Sequence, residues 1–134
     1  IDECSSWAEF TKDNEQKIFI LADGGINISG KAVKAFGAGA DCIMTASYWK
    51  NCKDAETHIL NEHTAYGGAS SLQLNKLGIQ NKHSEGKVEK VSGQLFDFDY
   101  LDVELIGGIK SGISYSGYDS LERFIGNGVF EIKN

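Results

Sequence analysis

A short apolar run that ends in an acid and two glycines, "IFILADGG", most constrains what this chain can fold into. Its residues 18–22 predict a strand, because a continuous apolar run suits a strand that is buried on both faces. The following "ISGKAVKAFG" predicts a helix with Ser29 as its N-cap and Gly37 as its left-handed terminator. A second apolar run, residues 41–45, predicts another strand. This order predicts a βαβ unit of the α/β class, with parallel strands and a right-handed crossover.

Length and charge exclude several classes of protein. The chain has 134 residues, which suits one domain and is long enough to bury a core. Its hydrophobic content of 41% and charged content of 24% are ordinary for a globular domain. The formal net charge of −6 disfavours a nucleic-acid-binding surface, and no apolar run approaches the roughly 18 residues of a membrane span. We therefore expect neither nucleic acid nor a membrane as a partner, and no signal peptide is visible.

The cysteines and histidines indicate neither a disulfide framework nor a metal site. Cys4, Cys42 and Cys52 are odd in number and lack CxxC spacing, which favours a reducing, cytoplasmic compartment. His58 and His63 are five residues apart, a separation that does not place them on one helical face. We interpret both histidines as solvated, and we predict no metal ligands.

The rest of the chain is less regular. Residues 2–12 predict a helix, and because the chain starts within it on Ile rather than Met, we expect part of a longer protein. Residues 50–92 are polar and rich in glycine, which indicates a lid, a binding loop or disorder, with one short helix in "YGGASSLQLNKLG". "FDFDYLDVELIGGIKSGI" alternates like a strand at first, but its later spacing predicts a helix from about residue 98. "DSLERFIG" predicts a last short helix, and "GVFEIK" predicts an exposed tail or an edge strand.

Four motifs in this order carry a family resemblance: "ILADGGINISGKAVKAFGAGADCIM", "YGGASS", "SEGK" and "LIGGIKSGISYSGYDSL". Together they resemble the carboxyl-terminal part of GMP reductases, within the family that also contains IMP dehydrogenases. The resemblance implies a TIM (β/α)8 barrel of which residues 1–134 form one partial domain. Residues 1–49 would hold the last two strands and phosphate loops, residues 50–92 the active-site flap, and residues 93–134 the final helices and tail. Because of its unpaired sheet edges, we expect the isolated chain to self-associate or to be partly molten.

The resemblance gives the strand ends a role in binding GMP. It implies that Asp23 accepts hydrogen bonds from the ribose hydroxyls, because a carboxylate offers one oxygen to each hydroxyl. Gly24 and Gly25 would let backbone N–H groups approach the 5′-phosphate. Ala46 and Ser47 would form the second phosphate loop, where reductases usually carry two glycines and dehydrogenases often carry Gly-Ser. Taken alone, both stretches are equally compatible with a plain turn and a plain strand end.

In the flap, the resemblance places Gly67, Gly68 and Ala69 against the purine ring. The family more often has Met at the position of Gly68, so this chain lacks an apolar contact with the base and the nicotinamide. Without the resemblance, "YGGASS" is equally compatible with a flexible loop that contains serines.

The motif "SEGK" separates the two branches of the family. Glu85 and Gly86 match the reductases, whereas dehydrogenases typically have Gln-Gly. The resemblance implies that Glu85 is catalytic: it contacts the purine and relays protons as the 2-amino group leaves as ammonia. Ser84 also matches, but Lys82 replaces the usual Arg and loses its bidentate contact with phosphate. No role is assigned to His83, and composition alone favours a solvated charged loop.

The segment "GGIKSGISY" resembles one that binds the dinucleotide cofactor of a neighbouring subunit, with the tyrosine near the adenine. Its glycines are also compatible with the end of a helix. The cofactor contacts implied by the resemblance are Gly68, Lys82, Lys110, Ser111, Gly112 and Tyr115.

The resemblance therefore implies NADPH-dependent reductive deamination of GMP to IMP and ammonia, by a protein that is a homotetramer when complete. The family's nucleophilic cysteine lies on a loop that this chain does not include, so we expect no turnover from the chain alone. Two alternatives stay open: an IMP dehydrogenase-like enzyme, and a non-catalytic nucleotide-binding piece. The residues do not reveal whether a monovalent cation is also bound.

Overall fold

A computed structural model describes residues 18–55, 58–60, 63–67, 88–91 and 93–131. The helix predicted over residues 2–12 lies outside these ranges. The described residues divide into two compact units: residues 18–45 with 102–131, and the described part of 46–101. In the part of the chain that the structure describes, no helix has both the length and the apolar character that crossing a membrane requires.

The first unit contains the predicted βαβ arrangement. Strand β1 (Leu21–Asp23) is followed by helix α1 (Ser29–Gly37) and strand β2 (Cys42–Met44). The two strands are parallel, and Ala22 pairs with Ile43 at the centre of the register. A strand, a helix and a parallel strand form the repeating unit of a TIM barrel, so this mixed α/β unit is consistent with part of one.

The prediction that the first strand is buried on both faces is wrong for this chain. Ala22 is buried, but its neighbour Leu21 is 51% exposed and Met44 on the paired strand is 49% exposed. Side chains alternate between the two faces of a sheet, and Leu21 and Met44 lie on the face opposite to Ala22. The two-stranded sheet therefore has one covered face and one open face among the described residues.

The ends of α1 differ from the prediction. Ile28 is the N-cap residue, with extended backbone angles and no side-chain capping bond, while Ser29 already has helical geometry. Gly37 is the last helical residue, and the positive φ of +101° occurs at Gly39 instead. The Gly39 N–H donates to Phe36 O at 2.9 Å, so the left-handed turn closes two residues later than predicted.

Two helices follow in the carboxyl-terminal third, as predicted. Helix α2 (Phe98–Tyr115) starts at the residue where the spacing placed it, and helix α3 (Leu121–Phe124) is the predicted last short helix. Leu105, Ile109 and Ile113 are buried at a spacing of four residues. This spacing puts them on one face of α2, which explains why the helical period outweighed the strand-like alternation before it.

Glycines bring α2 and α1 together. A Cβ at Gly108 would overlap the Ser29 side chain, and one at Gly112 would lie 2.5 Å from Val33 Cγ2. The side chain that the sequence suggested as an N-cap is thus packed against the opposite helix. Such contacts require that the two helix backbones approach closely at these glycines.

The carboxyl-terminal segment returns to the end of α1. The Gly126 N–H donates to Phe36 O at 3.0 Å, and the Gly128 N–H donates to Gly37 O at 2.9 Å. Phe124 is 3% exposed, whereas Val129 is 99% exposed. Of the two alternatives for "GVFEIK", residues 129–131 form an exposed tail without strand pairing, and residues 132 and 133 lie outside the described residues.

The second unit holds a small antiparallel sheet that the sequence did not predict. A 3₁₀ helix (Ser47–Asn51) precedes strands β3 (His58–Leu60), β4 (His63–Gly67) and β5 (Val88–Lys90), which lie in the order β3-β4-β5. The interpretation of residues 50–92 as a loop is therefore wrong for these strands. They have three to five residues each, too few for a polar segment to show a clear period of two. The predicted helix near Leu72 lies outside the described residues.

Aromatic side chains also contact one another in this unit. The rings of Trp49 and Phe98 stack with centroids 5.0 Å apart, and those of Phe96 and Tyr100 stack at the same distance. The Tyr48 hydroxyl donates to the carbonyl of Leu101 at 2.8 Å. These contacts connect the 3₁₀ helix to the start of α2.

Candidate functional site

Asp23 lies at the carboxyl end of β1, where the sequence placed it. It is the last residue of the strand, pairs in register with Met44, and has an exposed side chain. In barrels and other parallel sheets, the carboxyl ends of the strands are where ligands bind. The carboxylate of Asp23 is thus available to accept hydrogen bonds from a ligand.

The two glycines after Asp23 have the backbone conformation that only glycine adopts readily. Gly24 has φ of +96° and Gly25 has φ of +73°, and a Cβ at either position would meet no atom within 4 Å. Glycine is required here by the backbone angle, not by crowding, and the space beside each Cα is open.

This loop also presents backbone donors. The N–H groups of Gly25 and Ile26 make no hydrogen bond to any residue that the structure describes, whereas the Gly24 N–H faces Met44 O in the parallel ladder, because Asp23 pairs with Met44. Successive amides in a turn of this kind form a concave anion-binding feature, and phosphate is a common occupant. The loop therefore offers hydrogen-bond donors immediately beside the acceptor carboxylate of Asp23.

A cavity of about 550 Å³ lies beside this loop, within the first unit. That volume is in the range of small-molecule sites. Its polar lining includes Asp23, Lys31 and Lys34, and Phe130 contributes an aromatic side chain from the tail. The two lysines were not among the predicted site residues. Their spacing of three on the helix that follows "DGG" was the available signal, because such a pair shares a helix face.

An acid outside the predicted site holds the start of β1. Asp41 Oδ2 accepts a hydrogen bond from the Ile20 N–H at 2.9 Å, and the Asp41 N–H donates to Ile20 O at 2.9 Å. This reciprocal pair joins the residue before β1 to the residue before β2. It fixes the alignment of the two strands whose other ends lead to the candidate phosphate loops.

The predicted second phosphate loop belongs to the second unit. Ala46 has φ of −108°, so its methyl group introduces no backbone strain at this position, where the resemblance led us to expect glycine. Ser47 begins the 3₁₀ helix directly afterwards. The departure from glycine is thus compatible with the local backbone.

The predicted flap residues fall largely outside the described part of the chain. Gly67 ends β4 and pairs in register with Val88, the first residue of β5. Residues 68–87 therefore connect two strand ends that are neighbours in one small sheet. The predicted residues that lie outside the described ranges are Gly68, Ala69, Lys82, Ser84, Glu85 and Gly86.

The predicted cofactor residues on α2 divide into two kinds. Lys110, Ser111 and Tyr115 have exposed side chains, and Tyr115 is 91% exposed. Gly112, in contrast, is packed against Val33 of α1. The structure thus gives Gly112 a part in helix packing and leaves three polar side chains accessible to a ligand.

The two described cysteines are free thiols in different surroundings. Cys42 is exposed at the start of β2. Cys52 is buried in the second unit, where its backbone forms an isolated parallel β-bridge with that of Phe96. Cys4 lies outside the described residues. Within the described ranges, no three His, Cys, Asp or Glu side chains form a group suited to a metal ion.

Comparison with known proteins identifies a family for nearly the whole chain. The family model described as the IMP dehydrogenase / GMP reductase domain matches residues 3–133. An inosine-5′-monophosphate dehydrogenase from Thermoplasma acidophilum is 33% identical over 137 residues, which include 94% of this chain and 28% of that protein. One from Streptococcus pyogenes is 30% identical over 126 residues, with 83% of this chain and 26% of that protein covered.

A third relative carries the same name. The inosine-5′-monophosphate dehydrogenase of Halobacterium salinarum is 28% identical over 126 residues, with 78% of this chain and 24% of that protein covered. This chain therefore spans about a quarter of the length of the curated relatives that it matches.

Proposed function

This chain belongs to the IMP dehydrogenase / GMP reductase family, and from that premise we propose that it supplies the ribose- and phosphate-binding part of an oxidoreductase acting on IMP. The observation that carries the proposal is the loop after β1, where Asp23 is followed by two backbone N–H groups, those of Gly25 and Ile26, without partners among the described residues. A purine nucleotide needs acceptors for its ribose hydroxyls and donors for its phosphate. This loop offers both within four consecutive residues.

Each residue of the loop has a definite part in the proposal. The Asp23 carboxylate accepts hydrogen bonds from the two ribose hydroxyls, and such charge-assisted bonds are each worth about 1.5–3 kcal/mol. The amides of Gly25 and Ile26 donate to the 5′-phosphate, and Gly24, at positive φ, turns the chain out of β1 ahead of them. Lys31 and Lys34, which line the adjoining cavity, add positive charge that favours a phosphate dianion.

The oxidation of IMP with NAD is preferred over the reduction of GMP for two reasons. The relatives described above are all named IMP dehydrogenases. Ser47 also stands where dehydrogenases often have serine, and Ala46 fits its backbone without strain.

Members of the family use NAD or NADP as the hydride carrier. In this chain Lys110, Ser111 and Tyr115 have exposed side chains that would hold the dinucleotide of a neighbouring subunit in a homotetramer.

GMP reduction with NADPH is the second candidate, favoured by one sequence feature. Glu85-Gly86 stands where dehydrogenases typically have Gln-Gly, and a carboxylate there suits the release of the 2-amino group as ammonia. A third candidate is a nucleotide-binding piece without catalysis, since the family's nucleophilic cysteine is expected on a loop outside this sequence.

One pair of assays on the full polypeptide that carries this sequence separates the three candidates. NAD reduction in the presence of IMP, followed at 340 nm, is the expected activity. NADPH oxidation that requires GMP would instead establish the reductase. Binding of IMP without turnover in either assay would establish the non-catalytic alternative.

A binding experiment tests the site itself. We expect Asp23→Ala to weaken IMP binding by about tenfold or more, since it removes charged hydrogen bonds to the ribose. Isothermal titration calorimetry with IMP and with inosine measures this loss, which affects both ligands because both carry the ribose diol. Asp119→Asn is a matched control, because Asp119 is exposed and pairs with Arg123 away from the cavity. Unchanged IMP affinity in Asp23→Ala would refute the proposed site.

A further inference from the structure

The ammonium group of Lys31 is bound to the loop that follows β1. Its Nζ donates to Gly25 O at 3.0 Å and to Asn27 Oδ1 at 2.8 Å. Lys31 lies in the first turn of α1, a regular helix, whereas the loop contains two glycines at positive φ. The side chain thus connects a rigid element to the most conformationally free part of the site.

The bond to Gly25 O has a geometric consequence for a neighbouring donor. The carbonyl of Gly25 and the N–H of Ile26 belong to one planar trans peptide, so they point in opposite directions. Holding the carbonyl towards Lys31 therefore directs the Ile26 N–H to the other side. That N–H is one of the two amides of the loop, with that of Gly25, that make no hydrogen bond to the described residues.

We propose that Lys31 is a positioning residue for nucleotide binding: it holds the Gly25–Ile26 peptide so that the Ile26 N–H faces the 5′-phosphate before the ligand arrives. This inference rests on the proposed function. Glycine loses more conformational freedom on ordering than any other residue, so a loop with Gly24 and Gly25 gains most from being held in advance. A loop that is already ordered binds its ligand more tightly because it has less freedom left to lose.

A simple charge effect makes a different prediction, and the chain contains the comparison needed. Lys34 lies on the same helix and lines the same cavity, but among the described residues it makes no hydrogen bond to the loop. Both lysines attract a phosphate electrostatically, whereas only Lys31 holds a peptide of the loop. Removing each side chain in turn separates positioning from attraction.

The experiment uses the full polypeptide, with IMP and inosine as probes in isothermal titration calorimetry. We expect Lys31→Met to weaken IMP binding about tenfold and to leave inosine binding within about twofold, because inosine lacks the phosphate. Lys34→Met should weaken IMP binding less than about threefold. Lys31→Arg, which keeps donors for Gly25 O and Asn27 Oδ1, should restore most of the affinity. The loss in Lys31→Met should persist at about 1 M salt, where the Debye length is about 3 Å.

Several results would overturn the inference. Equal losses in Lys31→Met and Lys34→Met that vanish at high salt would mean attraction by charge alone. Equal losses for IMP and inosine in Lys31→Met would mean a general structural defect. If Lys31→Met binds IMP normally while Asp23→Ala does not, the positioning role fails and the proposed function stands. If the unmodified protein binds no IMP, both fail.

Discussion

Gly112 of α2 lies so close to Val33 of α1 that a Cβ on the glycine would stand 2.5 Å from Val33 Cγ2. Real side chains do not tolerate such a distance, and Val33 is stiff because it is branched at Cβ. The glycine-rich segment "GGIKSG" thus has a mechanical role in helix packing, whatever ligand its exposed neighbours bind.

We expect Gly112→Ala to lower the free energy of unfolding by about 1–3 kcal/mol, because the added methyl forces the helices apart. Gly107→Ala is the matched control. Its Cβ would meet no atom within 4 Å. That substitution should stabilise the protein by about 0.5–1 kcal/mol through helix propensity alone. Urea denaturation followed by circular dichroism measures the free energy of unfolding of both variants. If the two substitutions change that free energy equally, Gly112 has no special role in packing.

Phe124 should contribute most to holding the carboxyl-terminal segment in place. It is 3% exposed, and its ring lies 5.4 Å from that of Tyr118. We expect Phe124→Ala to lower the free energy of unfolding by about 3–5 kcal/mol, measured by the same urea denaturation. Val129 is 99% exposed, so Val129→Ala should change stability by less than about 0.5 kcal/mol. A small effect of Phe124→Ala would mean that the segment is not part of the cooperative unit.

Asp41 should stabilise the alignment of β1 and β2. Asp41→Ala leaves the partly buried Ile20 N–H without its acceptor, so we expect a loss of about 1–3 kcal/mol. Asp41→Asn keeps an oxygen that can accept the hydrogen bond, so its free energy of unfolding should fall by less than that of Asp41→Ala. Hydrogen–deuterium exchange of the Ile20 amide should accelerate strongly in Asp41→Ala. Unchanged exchange at Ile20 would show that the bond does not persist in solution.

The exposed pair Lys53 and Asp97 predicts a pH dependence with a definite sign. The hydrogen bond from Lys53 Nζ to Asp97 Oδ1 at 2.8 Å, and the charge of that carboxylate, raise the pKa of Lys53 above 10.5. Because the pKa of Lys53 is raised in the folded state, the stabilisation of the folded state by this pair is fully present below pH 10.5. It is lost as the pH rises through the folded-state pKa of Lys53.

Titration of the Lys53 Cε resonance by NMR checks this assignment. Asp97→Asn should lower the pKa of Lys53 towards its ordinary value. Asp54→Asn should lower it less, because Asp54 contributes only its charge. If both variants shift the pKa of Lys53 equally, the hydrogen bond is not the main cause.

Local sequence signals predicted the elements that depend on local contacts. The apolar run before Asp23 and the one after Gly39 predicted the parallel pair, and the spacing of Leu105 and Ile109 predicted α2 from its first residue. The glycines after Asp23 indicated a turn, and both have a positive φ. Periodicity and turn residues act over a few positions, so one chain segment is enough to reveal them.

Other features depend on which segments meet, and their signals are weak in any single segment. Ser29 has the composition of an N-cap, but its side chain is packed at Gly108 of α2. The three short strands of the second unit gain their hydrogen bonds from one another, and polar runs of three to five residues carry little period. Lys31 belongs to the site because it lines the cavity and donates to Gly25 O, a contact that no local pattern predicts.

Sequence patterns alone were enough to predict the order of strand, helix and strand, the acid and glycines at the end of β1, and the family to which the chain belongs. Where α1 ends, which glycines pack the helices together and which lysine donates to the loop follow from the folded arrangement. The two kinds of feature differ in the sequence separation of the residues that cause them. Backbone propensity and side-chain period depend on residues a few positions apart. Close packing between α1 and α2, and a hydrogen bond to one particular carbonyl, exist only once separate segments have been brought together.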